Sequence, residues 1–472
     1  VLNFVNEEHI KKLDDQRYKT LVFHHTTNEY NIYLIAEHFK TQNKTLVIAC
    51  PNLSQAQQYY DTIQQIVDSK HILFYPADQT LTHMMALGSP EFKSERIYTL
   101  TQLMTNKPFI VITNQEGLGL PQLAPEDYQH AQLSLILNQE YKRQDITEFF
   151  VRNGYQHAHT VEKPSDFSVR GNIIDFYSLQ YEHPIRLDFF GDTLETIKFF
   201  DVVTQRSKEK VDTIEIMPLN ELFYTEELKN KVLNKLNHDI ENQSLSSKEI
   251  EKLSIDIDYI EQRKHLETLS LYIPLFTDKI YTLFDYINVY QTIVIDMSKM
   301  ELNEQNKISD LQTYKTTMNG EYFTKFLNQR TIHNMIREED RIFETQLLHE
   351  EGHHLNIYPV EPYKQNINLL IHDLKASNNK KVYVYIPTKH LKEVFTNQVK
   401  SYETILNIEY TDNVILGSFR DANKQVVYLE EQSIFNKKRT YRTQYRSVLN
   451  QATKIRDIHE LEIGDFVVHY DY

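Results

Sequence analysis

Short apolar runs alternate with longer helical stretches through the first part of the chain. Helices are predicted over residues 28–40 and 54–67, where apolar positions recur with helical spacing. Buried strands are predicted over residues 21–24, 45–49, 71–75 and 109–113. Because brief apolar strands that alternate with helices are typical of βαβ units, we expect a parallel sheet with right-handed crossovers.

A second pattern, with a period of two, lies between residues 169 and 207. Three strands are predicted there, over residues 171–177, 185–190 and 194–200. Gly191 and Asp192 separate the last two runs and predict a tight turn. A helix is predicted before these strands, over residues 144–153. This stretch therefore reads as a small α+β module.

The middle strand of this module presents two different faces. The apolar residues that alternate along it, and that we expect in the core, are Ile185, Leu187 and Phe189. Arg186, Asp188 and Phe190 would lie on the other face, and Arg170 would join them if the first two strands pair antiparallel. An arginine and a phenylalanine on an outward face are typical of binding hot spots. A solvated face with one exposed aromatic would give the same pattern.

A longer motif covers the same stretch. It includes VRGNIIDF from residue 169, PIRLDFFGDTLETIKFFD from residue 184 and TQRS from residue 204. This motif resembles the UvrB-homology region of bacterial excision repair, which is carried by UvrB and by the N-terminal part of the transcription-repair coupling factors (Mfd). In that family the module is the surface that docks on UvrA. The resemblance places the family's two UvrA-contacting arginines and its phenylalanine at Arg170, Arg186 and Phe190.

The turn after the first predicted strand distinguishes UvrB from the transcription-repair coupling factors. A nucleotide-binding version would read G-x-x-x-x-G-K-[ST], with the phosphates on backbone N–H groups. Residues 24–30 read HHTTNEY instead, without glycine or lysine, and Glu29 would repel a phosphate. UvrB keeps this loop, whereas the coupling factors have lost it in their first domain. Residues 75–97 also leave no room for UvrB's long damage-probing hairpin, so the coupling factors are favoured.

The predicted fold class is α/β multidomain. It comprises a degenerate P-loop-like parallel-sheet lobe with an inserted α+β UvrA-binding module, a second α/β domain and the start of a small β-barrel. The predicted bounds are 1–117 and 213–312 for the lobe, 118–212 for the module, 313–450 for the third domain and 451–472 for the linker and the start of the RNA-polymerase-interacting domain. In the third domain we expect helices over 367–376 and 390–399 and strands over 381–386, 414–418 and 425–429.

Length and composition agree with several packed domains. The 472 residues suffice for about three to four domains, and a hydrophobic fraction of 40% excludes global disorder. No apolar run approaches the roughly 20 residues that span a bilayer. The single cysteine, Cys50, excludes an intrachain disulfide framework. We expect a cytoplasmic protein without membrane contact.

Charge favours a protein partner. The net charge of −15 opposes broad contact with a phosphate backbone. The basic stretch 437–456 is interpreted as a solvated linker, because no aromatic platform accompanies it; a nucleic-acid patch is the alternative.

The sequence His349-Glu350-Glu351-Gly352-His353 satisfies H-E-x-x-H. On a helix the two histidines could hold zinc, with Glu350 as the base. Gly352 would cost such a helix about 1 kcal/mol, and the metzincin continuation is absent. A polar surface helix or loop is favoured, and a zinc metallopeptidase stays as an alternative.

The resemblance implies a scaffolding function, namely recruitment of UvrA to stalled RNA polymerase without catalysis in this chain. ATP, Mg²⁺ and DNA contact would belong to the motor domains of a full-length coupling factor, which is an ATP-dependent DNA translocase. The last residues resemble the opening strand of the polymerase-interacting domain, which assigns a partial contact to Val467, Val468 and His469. No cofactor or metal is expected here. A UvrB-type excision-repair ATPase is a further alternative.

Overall fold

The computed structural model describes residues 4–13, 21–78, 90–219, 226–262, 271–277, 279–326, 332–335, 337, 340–345, 352–377 and 379–436. They divide into two compact units. The first is formed within Val1–Ser134 and Glu215–Thr443, and the second within Leu135–Ile214. None of the helices described in these ranges is long and apolar enough to cross a membrane.

The strands of the described residues, in chain order, are β1 Leu21–His24, β2 Thr45–Cys50, β3 Ile72–Tyr75, β4 Ile110–Asn114, β5 Leu133–Ile136, β6 Gln156–His157, β7 Asp166–Arg170, β8 Ile173–Phe176, β9 Ile185–Phe190, β10 Thr193–Phe200, β11 Ser207–Val211, β12 Thr213–Ile216, β13 Tyr290–Ile295, β14 Arg341–Phe343, β15 His353–His354, β16 Ile357–Pro359, β17 Lys381–Tyr385, β18 Ile408–Tyr410, β19 Phe419–Asp421 and β20 Val426–Glu430.

The α-helices are α1 Glu7–Leu13, α2 Asn28–Thr41, α3 Leu53–Ile63, α4 Pro90–Leu103, α5 Gln115–Leu118, α6 Pro125–His130, α7 Arg143–Arg152, α8 Glu226–Asn242, α9 Ser247–Glu261, α10 Ile273–Phe276, α11 Met297–Met318, α12 Ile332–Met335, α13 Ile367–Ala376, α14 Lys389–Val399, α15 Glu403–Leu406 and α16 Glu431–Phe435.

A parallel sheet forms the centre of the first unit. Its order in the described residues is β15-β1-β14-β13-β2-β4-β3, and every pair is parallel. Strands β2, β3 and β4 are buried along their whole length, as expected for a sheet covered on both faces. The four strands predicted at the start of the chain are β1 to β4, so the predicted parallel α/β sheet is confirmed. Its other three strands, β13 to β15, come from residues 290–354, which are far from β1 to β4 in sequence.

A buried histidine links α1 to α2. His9 Nδ1 lies 2.7 Å from Tyr30 Oη, and both side chains are buried. Because Tyr30 Oη accepts the backbone N–H of Asn6, its own proton can go to His9 Nδ1 while the imidazole is neutral. Burial, and to a smaller extent the charge of Lys12, lowers the pKa of His9 to about 4.

We expect His9 to make folding less favourable as the pH falls from about 6.5 toward 4. The imidazole of the unfolded chain takes up a proton near pH 6.5, whereas folded His9 resists protonation down to about pH 4. The unfolded state therefore binds more protons in this window, and stability falls by roughly 1–3 kcal/mol. In urea unfolding, His9→Gln should show a shallower pH dependence, and His372→Gln, at an exposed position, should resemble the wild type. Equal slopes for His9→Gln and wild type would contradict this assignment.

A five-stranded mixed sheet lies near the end of the described residues. Its order is β16-β19-β20-β17-β18, with β20, β17 and β18 parallel and β16, β19 and β20 antiparallel. The predicted helices over 367–376 and 390–399 and strands over 381–386 and 425–429 are confirmed within about one residue.

The strand predicted over residues 414–418 is wrong. Tyr33 of α2 donates its hydroxyl hydrogen to the carbonyl of Val414 over 2.8 Å and accepts the N–H of Leu416 over 2.9 Å. The carbonyl of Val414 and the N–H of Leu416 therefore pair with a side chain of α2, and the strand begins later, at Phe419.

An antiparallel sheet forms the second unit. Its order is β11-β10-β9-β8-β7-β6, and only the short β6–β7 pair is parallel among its described strands. Helix α7 covers one face. Phe150 of this helix is fully buried. The centroid of its ring lies 5.2 Å from that of Phe167, 5.0 Å from that of Phe176 and 4.8 Å from that of Tyr155. The predicted α+β module is therefore present, with α7 one residue earlier than predicted.

Candidate docking face

Two tight turns align the strands that carry the candidate residues. Gly171 and Asn172 join β7 to β8, and Gly191 and Asp192 join β9 to β10. Both glycines have positive φ, of 59° and 63°, which is the conformation that the first central residue of a II′ hairpin turn requires. The predicted turn at Gly191 is confirmed. The strand predicted from residue 171 begins only at Ile173, because Gly171 and Asn172 form a turn of their own.

The alternation predicted for the middle strand is confirmed. Along β9 the exposure alternates, with Ile185, Leu187 and Phe189 buried toward α7. Arg186 and Asp188 are partly exposed and Phe190 is exposed on the opposite face. β8 pairs antiparallel with both β7 and β9, so Arg170 reaches the same face as Arg186.

A buried carboxylate joins the two arginines. Arg170 Nη2 donates to Asp175 Oδ2 over 2.6 Å. Arg186 donates from Nε to Asp175 Oδ1 over 2.7 Å and from Nη2 to Oδ2 over 2.8 Å. The Asp175 side chain is only 1% exposed, compared with 46% for Arg170 and 18% for Arg186. One carboxylate therefore accepts from two cations, and the trio carries one excess positive charge.

Neighbouring groups hold Arg186 in place. Its guanidinium lies 4.8 Å from the ring centroid of Phe200, a cation–π arrangement. The hydrogen bond to Asp175 raises the pKa of Arg186 against the opposing effect of burial.

A separate ion pair lies beside this group on the same face. Lys198, opposite Arg186 on β10, pairs with Asp188 over 2.7 Å. Burial opposes the ionised form of Asp188, but hydrogen bonds from Lys198 and Thr196 outweigh it and lower the pKa of that carboxyl.

Phe190 lies away from the arginine pair, at the turn edge of the same face. It is 75% exposed and four residues beyond Arg186, about 13 Å along a strand. The first residue of α7, Arg143, lies near this edge and donates from Nη1 to the carbonyl of Gly171 over 2.7 Å and to Asn172 Oδ1 over 2.9 Å. We call Arg170, Asp175, Arg186 and Phe190 the candidate docking face, and Arg143 borders it at the Gly171 turn.

The sequence prediction missed Asp175 on this face and Arg143 beside it. Asp175 stands between apolar Ile174 and Phe176, so a period of two places it on the arginine face, and the Gly171 turn places β8 between the arginines. The motif therefore contained the signal for Asp175. Arg143 had no such signal, because only the packing of α7 brings it to the Gly171 turn.

Chemically, the candidate docking face suits protein recognition. Each guanidinium carries five N–H donors, and the three bonds to Asp175 leave donors on both arginines. Planar guanidinium groups match carboxylates on a partner, and an exposed phenylalanine can fill an apolar pocket.

The turn after β1 differs from a phosphate-binding loop. His25, Thr26 and Thr27 alone connect β1 to α2. Thr27 caps the helix by accepting the N–H of Tyr30 over 3.2 Å, so one helix N–H group is already satisfied. Glu29 packs against Gly417, where an added Cβ would lie 2.5 Å from Glu29 Cγ. That this turn binds no nucleotide stays a prediction.

The described part of the H-E-x-x-H segment is a strand. His353 and His354 form β15, which pairs in parallel with β1, and Gly352 has a φ of 143°. A helix therefore does not extend to His353, because its backbone groups pair with a neighbouring strand. His349 and Glu350 lie outside the described residues. In the part of the chain that the structure describes, no group of three His, Cys, Asp or Glu side chains could hold a metal ion.

Two further sets of predictions also lie outside the described residues. They are the polymerase contact at Val467, Val468 and His469, and the basic linker over 437–456. The compact connection predicted between residues 75 and 97 is described only at its ends, where β3 stops and α4 begins.

Comparison with known proteins agrees with the motif. The family model described as the UvrB interaction domain matches residues 133–222, which contain β5 to β12. The transcription-repair-coupling factor of Bacillus subtilis (strain 168) is 23% identical over 470 residues, which cover 91% of this chain and 39% of that protein. The corresponding factor of Staphylococcus aureus (strain bovine RF122 / ET3-1) is 23% identical over 469 residues, covering 93% and 40%.

The chain thus spans about two fifths of the length of the curated relatives it matches. These similarities confirm the resemblance to the N-terminal region of transcription-repair coupling factors that the motif indicated.

Proposed function

We propose that this chain, which resembles the N-terminal region of transcription-repair coupling factors, recruits UvrA through the candidate docking face. The proposal rests on one observation, namely that the matched domain and the candidate docking face occupy the same stretch of the chain. The match to the UvrB interaction domain covers residues 133–222, and this stretch contains the exposed Phe190 and the paired Arg170 and Arg186. The role is transcription-repair coupling, in which UvrA is brought to a stalled RNA polymerase.

The charges and exposures on the face support a division of roles. Phe190 is the apolar anchor, because its ring is largely exposed in the free chain. Arg170 is the accessible cation, and its guanidinium would bond a carboxylate of UvrA. Arg186 is held more deeply, so it would contribute through the donors that Asp175 leaves available.

The remaining activities of such a factor are assigned to other parts of it. The chain covers about two fifths of its relatives, so ATP with Mg²⁺, DNA contact and translocation are proposed to belong to motor domains. The polymerase contact is proposed to begin at Val467, Val468 and His469. We propose that this chain acts by binding and not by catalysis, with the lobe at 1–117 and 213–312, the UvrA-binding module at 118–212 and the third domain at 313–450.

Direct binding tests the proposal. Titration of purified UvrA with the chain, followed by fluorescence anisotropy or calorimetry, should give saturable binding. Arg170→Ala should raise the Kd about tenfold, equivalent to roughly 1.4 kcal/mol, and the effect should shrink at high salt. Arg152→Ala is the matched control, because Arg152 is an exposed arginine on α7, which packs on the other face of the sheet. Absence of saturable wild-type binding, or equal losses in the two variants, would contradict the proposed surface.

A further inference from the structure

We infer that Asp175 is a positioning residue for UvrA binding, which holds Arg170 and Arg186 in the geometry that the partner meets. The inference rests on the proposed function. Asp175 is itself almost inaccessible, so it cannot contact a partner of any size. Among the described residues, its side chain accepts three hydrogen bonds, all of them from the two arginines.

The geometry explains why one carboxylate suffices for two cations. β8 lies between β7 and β9, and Asp175 is directly opposite Arg186 in the strand register. Arg186 bonds both oxygens through Nε and Nη2, a bidentate arrangement that fixes the plane of the guanidinium. Arg170 reaches the same Oδ2 from the end of β7.

The hydrogen bonds to Asp175 favour binding by reducing the conformational entropy that the two arginines lose on association. A long arginine side chain that must be ordered at an interface loses rotamer freedom on association, which weakens binding. Here that freedom is already restricted in the free chain, and the Phe200 ring limits Arg186 from another side. The donors left over can therefore meet an acceptor at little further cost.

Positioning and simple electrostatics predict opposite signs for one substitution. Asp175→Asn keeps the size of the side chain but removes a negative charge from beneath a surface that would meet carboxylates. If charge alone mattered, affinity for an acidic partner would rise. If Asp175 positions the arginines, affinity falls, because a neutral amide oxygen bonds a guanidinium more weakly than a carboxylate does.

A control and a second variant isolate the geometric effect. Asp188→Asn removes the same charge from the same face, but Asp188 bonds Lys198 and Thr196 and neither arginine. Arg186→Lys preserves all charges and leaves Asp175 paired with a cation, but a lysine ammonium cannot span both carboxylate oxygens as a planar fork. It therefore tests positioning even if Asp175→Asn does not fold.

The experiment compares the UvrA affinities of the full chain and these variants at one salt concentration. We expect Asp175→Asn and Arg186→Lys each to raise the Kd about tenfold, and Asp188→Asn to leave it unchanged or lower it. In ¹⁵N NMR spectra selective for arginine side chains, the Arg186 Nε–H signal should be protected from exchange in the wild type and lose protection in Asp175→Asn. In a chain with Arg170→Ala and Arg186→Ala, Asp175→Asn should no longer change the Kd.

The outcomes distinguish failure of the positioning role of Asp175 from failure of the proposed UvrA recruitment. Wild-type binding that Asp175→Asn leaves unchanged or strengthens would overturn the positioning role and leave the proposed function intact. The same would follow if Asp175→Asn weakened binding equally in the double-alanine chain. Absence of wild-type binding would overturn the proposed function, and this inference with it.

Discussion

Phe190→Ala is expected to weaken UvrA binding about thirtyfold or more while leaving the fold of the module intact. The side chain is 75% exposed at the β9–β10 turn, so its removal deletes almost no internal packing. A buried aromatic ring at a protein interface removes roughly 150–250 Å² of surface from water, and truncation of such anchors costs about 2 kcal/mol or more. Kd from calorimetry, with the thermal unfolding midpoint measured in parallel, checks both parts of the expectation.

The module contains a matched control for this experiment. Val203 is 88% exposed in the loop after β10, so Val203→Ala also shortens an exposed apolar side chain and should leave the Kd unchanged. Phe190→Leu should recover part of the affinity, because it restores apolar volume without the aromatic face. If Phe190→Ala bound UvrA as tightly as the wild type, the aromatic anchor would lie elsewhere.

Phe150→Ala is expected to destabilise the module by about 3–5 kcal/mol. The Phe150 ring is completely buried between α7 and the sheet and contacts Phe167, Phe176 and Tyr155. Its removal leaves a cavity beneath β7 and β8, the strands that carry Arg170 and Asp175. Native-state hydrogen exchange at the Ile174 and Leu187 amides measures the free energy of opening of this sheet.

The next residue of α7 provides the comparison. Val151 is exposed, and Val151→Ala should change the opening free energy by no more than about 0.5 kcal/mol. The UvrA affinity of Phe150→Ala should fall only by the fraction of modules that are open, and it should recover in a stabilising osmolyte. A loss below about 1 kcal/mol in Phe150→Ala would show that the core does not depend on this ring.

Local pattern was a good guide where one interaction dominated. The apolar runs of β2 and β4 are buried on both sides, and the amphipathic stretch of α13 has one buried face, so the local pattern of apolar residues located all three. It failed at residues 414–418, where an equally apolar run bonds the Tyr33 hydroxyl of α2. That residue is remote in sequence, so no local signal could reveal it.

The sequence by itself determined the alternation along β9, the turn at Gly191 and the motif, and therefore which residues share the outward face with Phe190. These features depend on the period of a strand and on the φ that only glycine adopts freely. Only the tertiary structure decided that Arg170 and Arg186 meet at Asp175, that Asp175 is inaccessible, and that Arg143 lies near the Gly171 turn. Strand register and helix packing set those contacts, and both are fixed by burial of the shared core around Phe150, which no single segment contains.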